Sequence, residues 1–330
     1  MKKLLALFSL GLLALAQEVV VYPGFAEVKE PVVLPPGAWV YLAGEKLSRT
    51  APGSLRLLGV EEVERVYQGT AVLFRYRGEG PATLRYLYTG LSGEVFYTLE
   101  EGRLTAWARL KLEGEAFEAQ KLTLLAGEAP LLEAKAAPGM ALRALTEAPG
   151  ETSFGLFRYE LPPRRIEAGL TEIPFLRADV ALVRLLRYQG PFRTDRLLPL
   201  ERGYRFTAPF PLAPGSLEVV EGGLFLGQAP LPGTPKGEWA EAWLGRDLEA
   251  RLERRVSLLN QGEKEATYLV ETRLENPYPY PVTLLLAESF PKPFRLDFPG
   301  ANRLPEGYRL ELPLKPQEAK TLTFRLTLSR

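Results

Sequence analysis

Short apolar runs with period two, separated by Pro/Gly turns, dominate the chain and predict β-strands throughout. The opening "EVVVYPGFAEVKEPVVLPPGAWVYLAGE" gives strands near Val19–Tyr22, Ala26–Lys29 and Ala38–Leu42. "FYTLEEGRLTAWARL" reads as a hairpin turning at Glu101-Gly102, with Leu104, Ala106, Ala108 and Leu110 on one face. "APGSLRLLG" and "APGSLEVVEGG" each place Pro-Gly before an apolar strand, a sequence suited to a type II turn. "RADVALVRLLRY" is apolar on both faces and predicts a central strand or a buried turn of helix. In the last strand Leu322, Phe324, Leu326 and Leu328 alternate strictly. "GRDLEARLERRVSLLN" fits a helical stripe and a strand equally well, and its strand-like neighbours favour strand. Good helix formers elsewhere, in "APLLEAKAAPGMALRALTEAPG", are broken by Pro138-Gly139 and read as a loop.

The fold class is therefore all-β: a multi-domain antiparallel β-sandwich architecture with little helix. Four segments are expected, namely a leader at 1–16, an N-terminal β module at 17–59, a central β domain at 60–200 and a C-terminal β-sandwich at 201–330. In the leader, Lys2 and Lys3 precede an apolar run from Leu4 to Ala16 that ends in Ala14-Leu15-Ala16. That is the pattern of a secretory signal peptide cut before Gln17. The run is shorter than the ~20 residues of a membrane span. It predicts export to the periplasm, cell envelope or medium, with no transmembrane segment after cleavage.

Composition changes this picture by subtraction. There is no histidine and no cysteine. Catalysis by Ser-His-Asp or Cys-His, thiolate chemistry and metal sites built on those ligands are excluded. The four aspartates, Asp179, Asp195, Asp247 and Asp297, form no Asp-x-Asp-x-Asp loop for calcium. Paired carboxylates remain, with Glu113, Glu115, Glu118, Glu238 and Glu241 as candidates, although glutamates this dense belong more often to solvated strand faces. The scarcity of amides and methionine beside abundant Arg, Glu, Leu and Pro resembles heat-adapted proteins. A net charge of +1 gives no general attraction to nucleic acid.

One region is richer in cations. Ten arginines stand against six acidic residues from Arg158 to Arg205, among them Arg164, Arg165, Arg184 and Arg187. Cross-strand ion pairing is the plainer expectation for them, and a patch for anionic polysaccharide the sharper one. Trp239 and Trp243, four residues apart, could supply aromatic faces to a sugar, with core packing the plainer fate. These six residues form the candidate ligand surface. No catalytic, cofactor-binding or metal residue is assigned.

The order of segments also resembles a known family. "VYPGFAEVKEPVVLPPGAWVYLAG", "LRYLYTGLSGEVFYTL", "FRYELPPRRIEAG", "LFLGQAPLPGTPKGE" and "VETRLENPYPYPVTLLLAESFP" look in turn like landmarks of the mucoidy inhibitor A-like proteins. These are secreted proteins that share a C-terminal domain of unknown function. The resemblance covers nearly the whole chain after the leader and implies an exported all-β protein. It departs from the family in lacking the long coiled coil of many members, and in holding Gly93-Glu94 where a tryptophan is expected. No catalytic residue comes with it.

"NPYPYP" at Asn276–Pro281 sets three prolines at alternate positions. In a strand all three missing N–H donors would lie on one side, while Tyr278, Tyr280 and Val282 keep theirs on the other and project together to one face. Tyr278 to Tyr280 is therefore expected to be a sheet edge or a strand entry with one unpaired side. Taken together, the residues predict an exported, non-enzymatic structural or interaction module of the cell envelope. Its expected partner is an envelope protein or polysaccharide, with no cofactor and no nucleic acid. The alternative is a carbohydrate-binding or carboxylate-dependent glycan-cleaving protein.

Overall fold

The computed structural model describes residues 17–127, 152–153, 156–194, 196–291 and 293–329. The leader and the segment 129–150 read above as a loop lie outside them. The described chain is all-β, with one 3-10 turn at Gly44–Arg49. Its first strands are β1 (Gln17–Tyr22), β2 (Phe25–Leu34), β3 (Ala38–Leu42), β4 (Arg56–Leu58), β5 (Glu61–Gln68), β6 (Ala71–Arg77) and β7 (Gly80–Tyr88). There follow β8 (Leu91–Glu100), β9 (Arg103–Leu112), β10 (Phe117–Ala126), β11 (Thr152–Ser153), β12 (Leu156–Leu161), β13 (Arg164–Ile166) and β14 (Gly169–Asp179). Next come β15 (Val183–Pro191), β16 (Leu197–Thr207), β17 (Gly215–Glu221), β18 (Leu224–Leu231), β19 (Trp239–Gln261) and β20 (Glu265–Glu275). The last are β21 (Val282–Ser289), β22 (Phe294–Asp297), β23 (Asn302–Leu304), β24 (Gly307–Leu314) and β25 (Ala319–Ser329).

The chain divides into two compact units, neither continuous in sequence: residues up to 97 with 105–177 and 211–215, and residues 98–104 with 178–210 and 216 onward. In the first, a sheet runs β11-β12-β10-β1-β2-β7-β4, with β13 also on β10, and a three-stranded sheet runs β3-β6-β5. Alternation fixes the buried face: Val19 and Val21 are fully buried, and so are Val28, Leu84, Leu122 and Leu124. β1 lies parallel to β10, an exception to the expected antiparallel pairing. Gly93 is where β8 comes closest to this layer. A Cβ there would stand 2.8 Å from Val21 and from Leu124, so the position where the family resemblance suggested tryptophan has no room for any side chain. Glu101 (φ 48°) and Gly102 (φ 82°) turn β8 into β9 as the sequence predicts. Leu104, Ala106, Ala108 and Leu110 are fully buried.

The two Pro-Gly echoes separate. At Ala51–Ser54 the Ser54 N–H donates to Ala51 O at 3.0 Å and Gly53 has φ 73°, a type II turn. Gly215 instead begins β17, where an added Cβ would lie 2.5 Å from Val95 O; its glycine serves close approach and not a turn.

The second unit is built on the nine-stranded sheet β22-β25-β20-β19-β16-β15-β21-β24-β23. Strands far apart in this order share one core. Leu252, Val270, Phe324 and Leu326 pack with Leu186, Leu284, Leu286 and Tyr308, so the sheet doubles over as a sandwich. The ambiguous "GRDLEARLERRVSLLN" is strand, inside the 23-residue β19. At ~3.3 Å per residue, straight, it would outrun the domain. It bends at Asp247, whose Oδ1 accepts the N–H groups of Glu249 and Ala250 at 2.9 and 2.7 Å. "RADVALVRLLRY" splits between β14 and β15, and β15 is central as expected, antiparallel to β16 and parallel to β21.

"NPYPYP" is not an edge strand; of the two expected arrangements it is the entry to a strand, β21. It is the bent connection from β20 to β21. Asn276, fully buried, makes a ladder unnecessary: its N–H donates to Glu318 O, its Nδ2 to Tyr280 O and Lys315 O, and its Oδ1 accepts the N–H of Tyr278. Gln317 N–H donates to Tyr278 O at 3.1 Å. The two connections that carry the chain between the sandwich layers, 276–281 and 315–318, are thus tied to each other.

Candidate ligand-binding face

The outward face of β15, β16 and β19 carries four of the chemistry-bearing residues in one array. The register Gly203↔Trp243, Arg205↔Glu241, Thr207↔Trp239 is unbroken, so Trp239, Glu241 and Trp243 point to the same side. Four residues of strand separate the two tryptophan Cα atoms by about 13 Å. The two indoles have different surroundings. Trp243 lies across Gly203, where an added Cβ would stand 2.6 Å from its ring, and the Arg187 guanidinium sits 3.8 Å from its centroid. Trp239 is 62% exposed, with the Arg205 guanidinium 5.9 Å from its centroid. The plainer expectation of core packing does not hold for Trp239.

The arginines beside these rings are held by carboxylates. Arg187 donates to Glu201 at 2.6 and 3.0 Å. Arg205 donates from Nε to Glu241 at 2.8 Å and from Nη1 to Glu311 at 2.7 Å. The array therefore holds two cations and three anions with little freedom to rearrange.

On the other face of β15, Arg184 lies in a second arrangement. Its Nε and Nη2 both donate to Glu221, whose other oxygen accepts the Tyr204 hydroxyl at 2.7 Å. Its guanidinium covers the Tyr280 ring at 4.3 Å, and Tyr280 stacks on Tyr278 at 5.1 Å and 5°. The Tyr278 hydroxyl donates to Asp247 at 2.6 Å. Arg184, Tyr204 and Glu221, with Glu101 and aliphatic neighbours including Leu99 and Val219, line a cleft of about 270 Å³. Burial pushes the Glu221 carboxyl up, but hydrogen bonds from Arg184 and Tyr204 and the Arg184 charge outweigh it and hold the group below its ordinary value of 4.5. Burial, the Glu221 bond and the Glu221 charge push the Tyr204 hydroxyl up.

Arg164 and Arg165 belong to the first unit, on β13. Arg165 donates to Glu118 and Glu167 at 2.8 and 2.5 Å, and Arg164 Nε is buried without a hydrogen-bond partner among the described residues. The six sequence candidates thus fall into three places: Arg187, Trp239 and Trp243 together, Arg184 in the cleft, and Arg164 with Arg165 in the other unit. Sequence reading missed Gly203, Glu221 and Asp247. Only the glycine inside an otherwise good strand pattern, "LLPLERGYRFT", signalled its position in advance. It also missed a fully buried ion pair, Arg254–Glu288 at 2.7 Å. There Arg254 also donates to Arg193 O, and Glu288 accepts the Tyr308 hydroxyl at 2.8 Å.

Among the described residues no group of three or more acidic side chains is arranged to hold a metal ion, and no helix is long and apolar enough to cross a membrane. No protein-family model matches the chain, and no curated protein matches it.

Proposed function

We propose that the chain is an exported, non-enzymatic interaction module of the cell envelope. The single observation that carries the reading is Trp239: an indole 62% exposed on a sheet face, among side chains locked in ion pairs. Exposing a tryptophan on a surface otherwise fixed by charge pairs forgoes its burial, and such rings are the usual anchors of a binding partner. The leader at 1–16 supports export, and the ordered local resemblance to the mucoidy inhibitor A-like proteins supports membership of that group. The glycan-cleaving alternative draws less support. A general acid needs a raised carboxyl pKa, and the carboxylate best placed in the cleft, Glu221, is shifted the other way.

Cell fractionation with N-terminal sequencing and crosslinked copurification tests the proposal. The expected result is a mature chain beginning at Gln17, recovered with the envelope together with a partner. A cytoplasmic chain that retains Met1, or one released free of any envelope component, contradicts it.

A further inference from the structure

We propose that the Trp239 face binds a neutral glycan, one sugar ring stacking on the indole while the flanking charged groups take its hydroxyls. This rests on the interaction reading above and names the partner's chemistry. The first ground is size. The exposed Trp239 indole is bordered by Arg205, Glu241 and Glu311, all charged. A protein interface needs ~800 Å² per partner and depletes charge at its centre. A single indole flanked by fixed hydrogen-bonding groups matches one pyranose ring, whose C–H face is apolar and whose rim is hydroxylated.

The second ground is charge. Arg187 and Arg205 face Glu201, Glu241 and Glu311, so the array carries no surplus of positive charge. A polyanion gains nothing there, since each guanidinium is already engaged by a carboxylate at hydrogen-bond distance. This turns the arginine-patch expectation from an anionic polysaccharide to a neutral one. Paired carboxylates and guanidiniums still keep free lone pairs and N–H groups at their edges, which suits ligands that both donate and accept.

The third ground is preorganisation. Gly203 gives the Trp243 ring its place against the backbone and Arg187 covers it, so Trp243 is a fixed shoulder and not a second open platform. Trp239 presents its ring to solvent beside groups already held in ion pairs, which lowers the entropy lost on binding.

The test is titration of the full mature chain with three soluble neutral probes, cellohexaose, fully N-acetylated chitohexaose and maltohexaose, followed by calorimetry and tryptophan fluorescence. At least one is expected to bind. Trp239→Ala should weaken it about tenfold or more, equal to ~1.4 kcal/mol, while Trp239→Phe keeps most of the affinity. The melting temperature checks the fold of both variants, and an exposed ring predicts little change. Binding of none of the three, or equal binding by Trp239→Ala, overturns the proposal. If the chain still captures an envelope protein through Trp239, the glycan inference fails and the interaction reading stands. If glycan binding holds while the chain is found in the cytoplasm, the reverse is true.

Discussion

Asn276 ties two connections together with its side-chain amide. One amide donates to Tyr280 O and Lys315 O, both at 2.8 Å, while its oxygen accepts from Tyr278 N at 3.0 Å. Asn276→Asp keeps the shape but replaces two donors by an acceptor facing two carbonyls in a fully buried place. The expected loss is about 2–4 kcal/mol in urea unfolding, and a change under ~0.5 kcal/mol contradicts the role. This residue also shows where sequence reading stopped. The alternate prolines of "NPYPYP" were legible as missing donors, and placing the tyrosines together was right, since their rings stack. What the pattern could not show is that an asparagine amide would satisfy the loop. That depends on residues 315–318, nearly forty positions away, and no local period records it. Gly203 has the same character: its need comes from the Trp243 ring on the neighbouring strand.

At the scale of elements, strands with clean alternation were legible and strands that bend were not. β25 follows its pattern, with Phe324 and Leu326 in the core. The β8–β9 hairpin turns where Glu-Gly requires. β19 was ambiguous because it serves two surroundings, pairing with β16 on both sides of Asp247 and with β20 from Arg251 onward. Ala240 and Ala242 before Asp247 and Ala250, Leu252 and Arg254 after it keep one alternation, and the irregular stretch between them imitates a helical stripe. The buried pair Arg254–Glu288 joins β19 to β21 across the sandwich. Removing one partner leaves a desolvated charge, so Glu288→Gln should cost about 3–5 kcal/mol. Arg254 Nη2 already lacks a partner among the described residues, which makes the site a poor contributor as it stands. Arg254→Met combined with Glu288→Leu should therefore recover most of that loss. A double variant as unstable as the single one, by denaturant midpoint, contradicts this account of the pair.

For the whole molecule, the titratable groups predict a flat middle and two falling ends. With no histidine and no cysteine, no side chain has an ordinary pKa between the carboxylates and the tyrosines. Glu18 and Glu221 lie below 4.5, where Lys121 and Lys29 bond the first and Arg184 and Tyr204 the second against the opposing push of burial. Their contribution is present above the unfolded value and is lost as pH falls through the lowered folded values. Tyr22 and Tyr159 are pushed up to about 12, chiefly by burial. The unfolded chain ionises these groups near 10 while the folded one does not, so stability is lost as pH rises from 10 toward 12. The melting temperature should be nearly level from pH ~6 to ~9, and a step near neutrality contradicts it. All-β character, the excluded chemistries and the candidate arginines and tryptophans were legible in composition and period. Their sorting into one array, a cleft and a pair in the other unit was not, because it is set by register between strands remote in sequence. The central claim, that the molecule works by binding through one exposed indole, is tested most directly by sedimenting the mature chain with purified envelope. Wild type should pellet and Trp239→Ala, folded to the same melting temperature, should stay largely in the supernatant; equal pelleting of the two would contradict it.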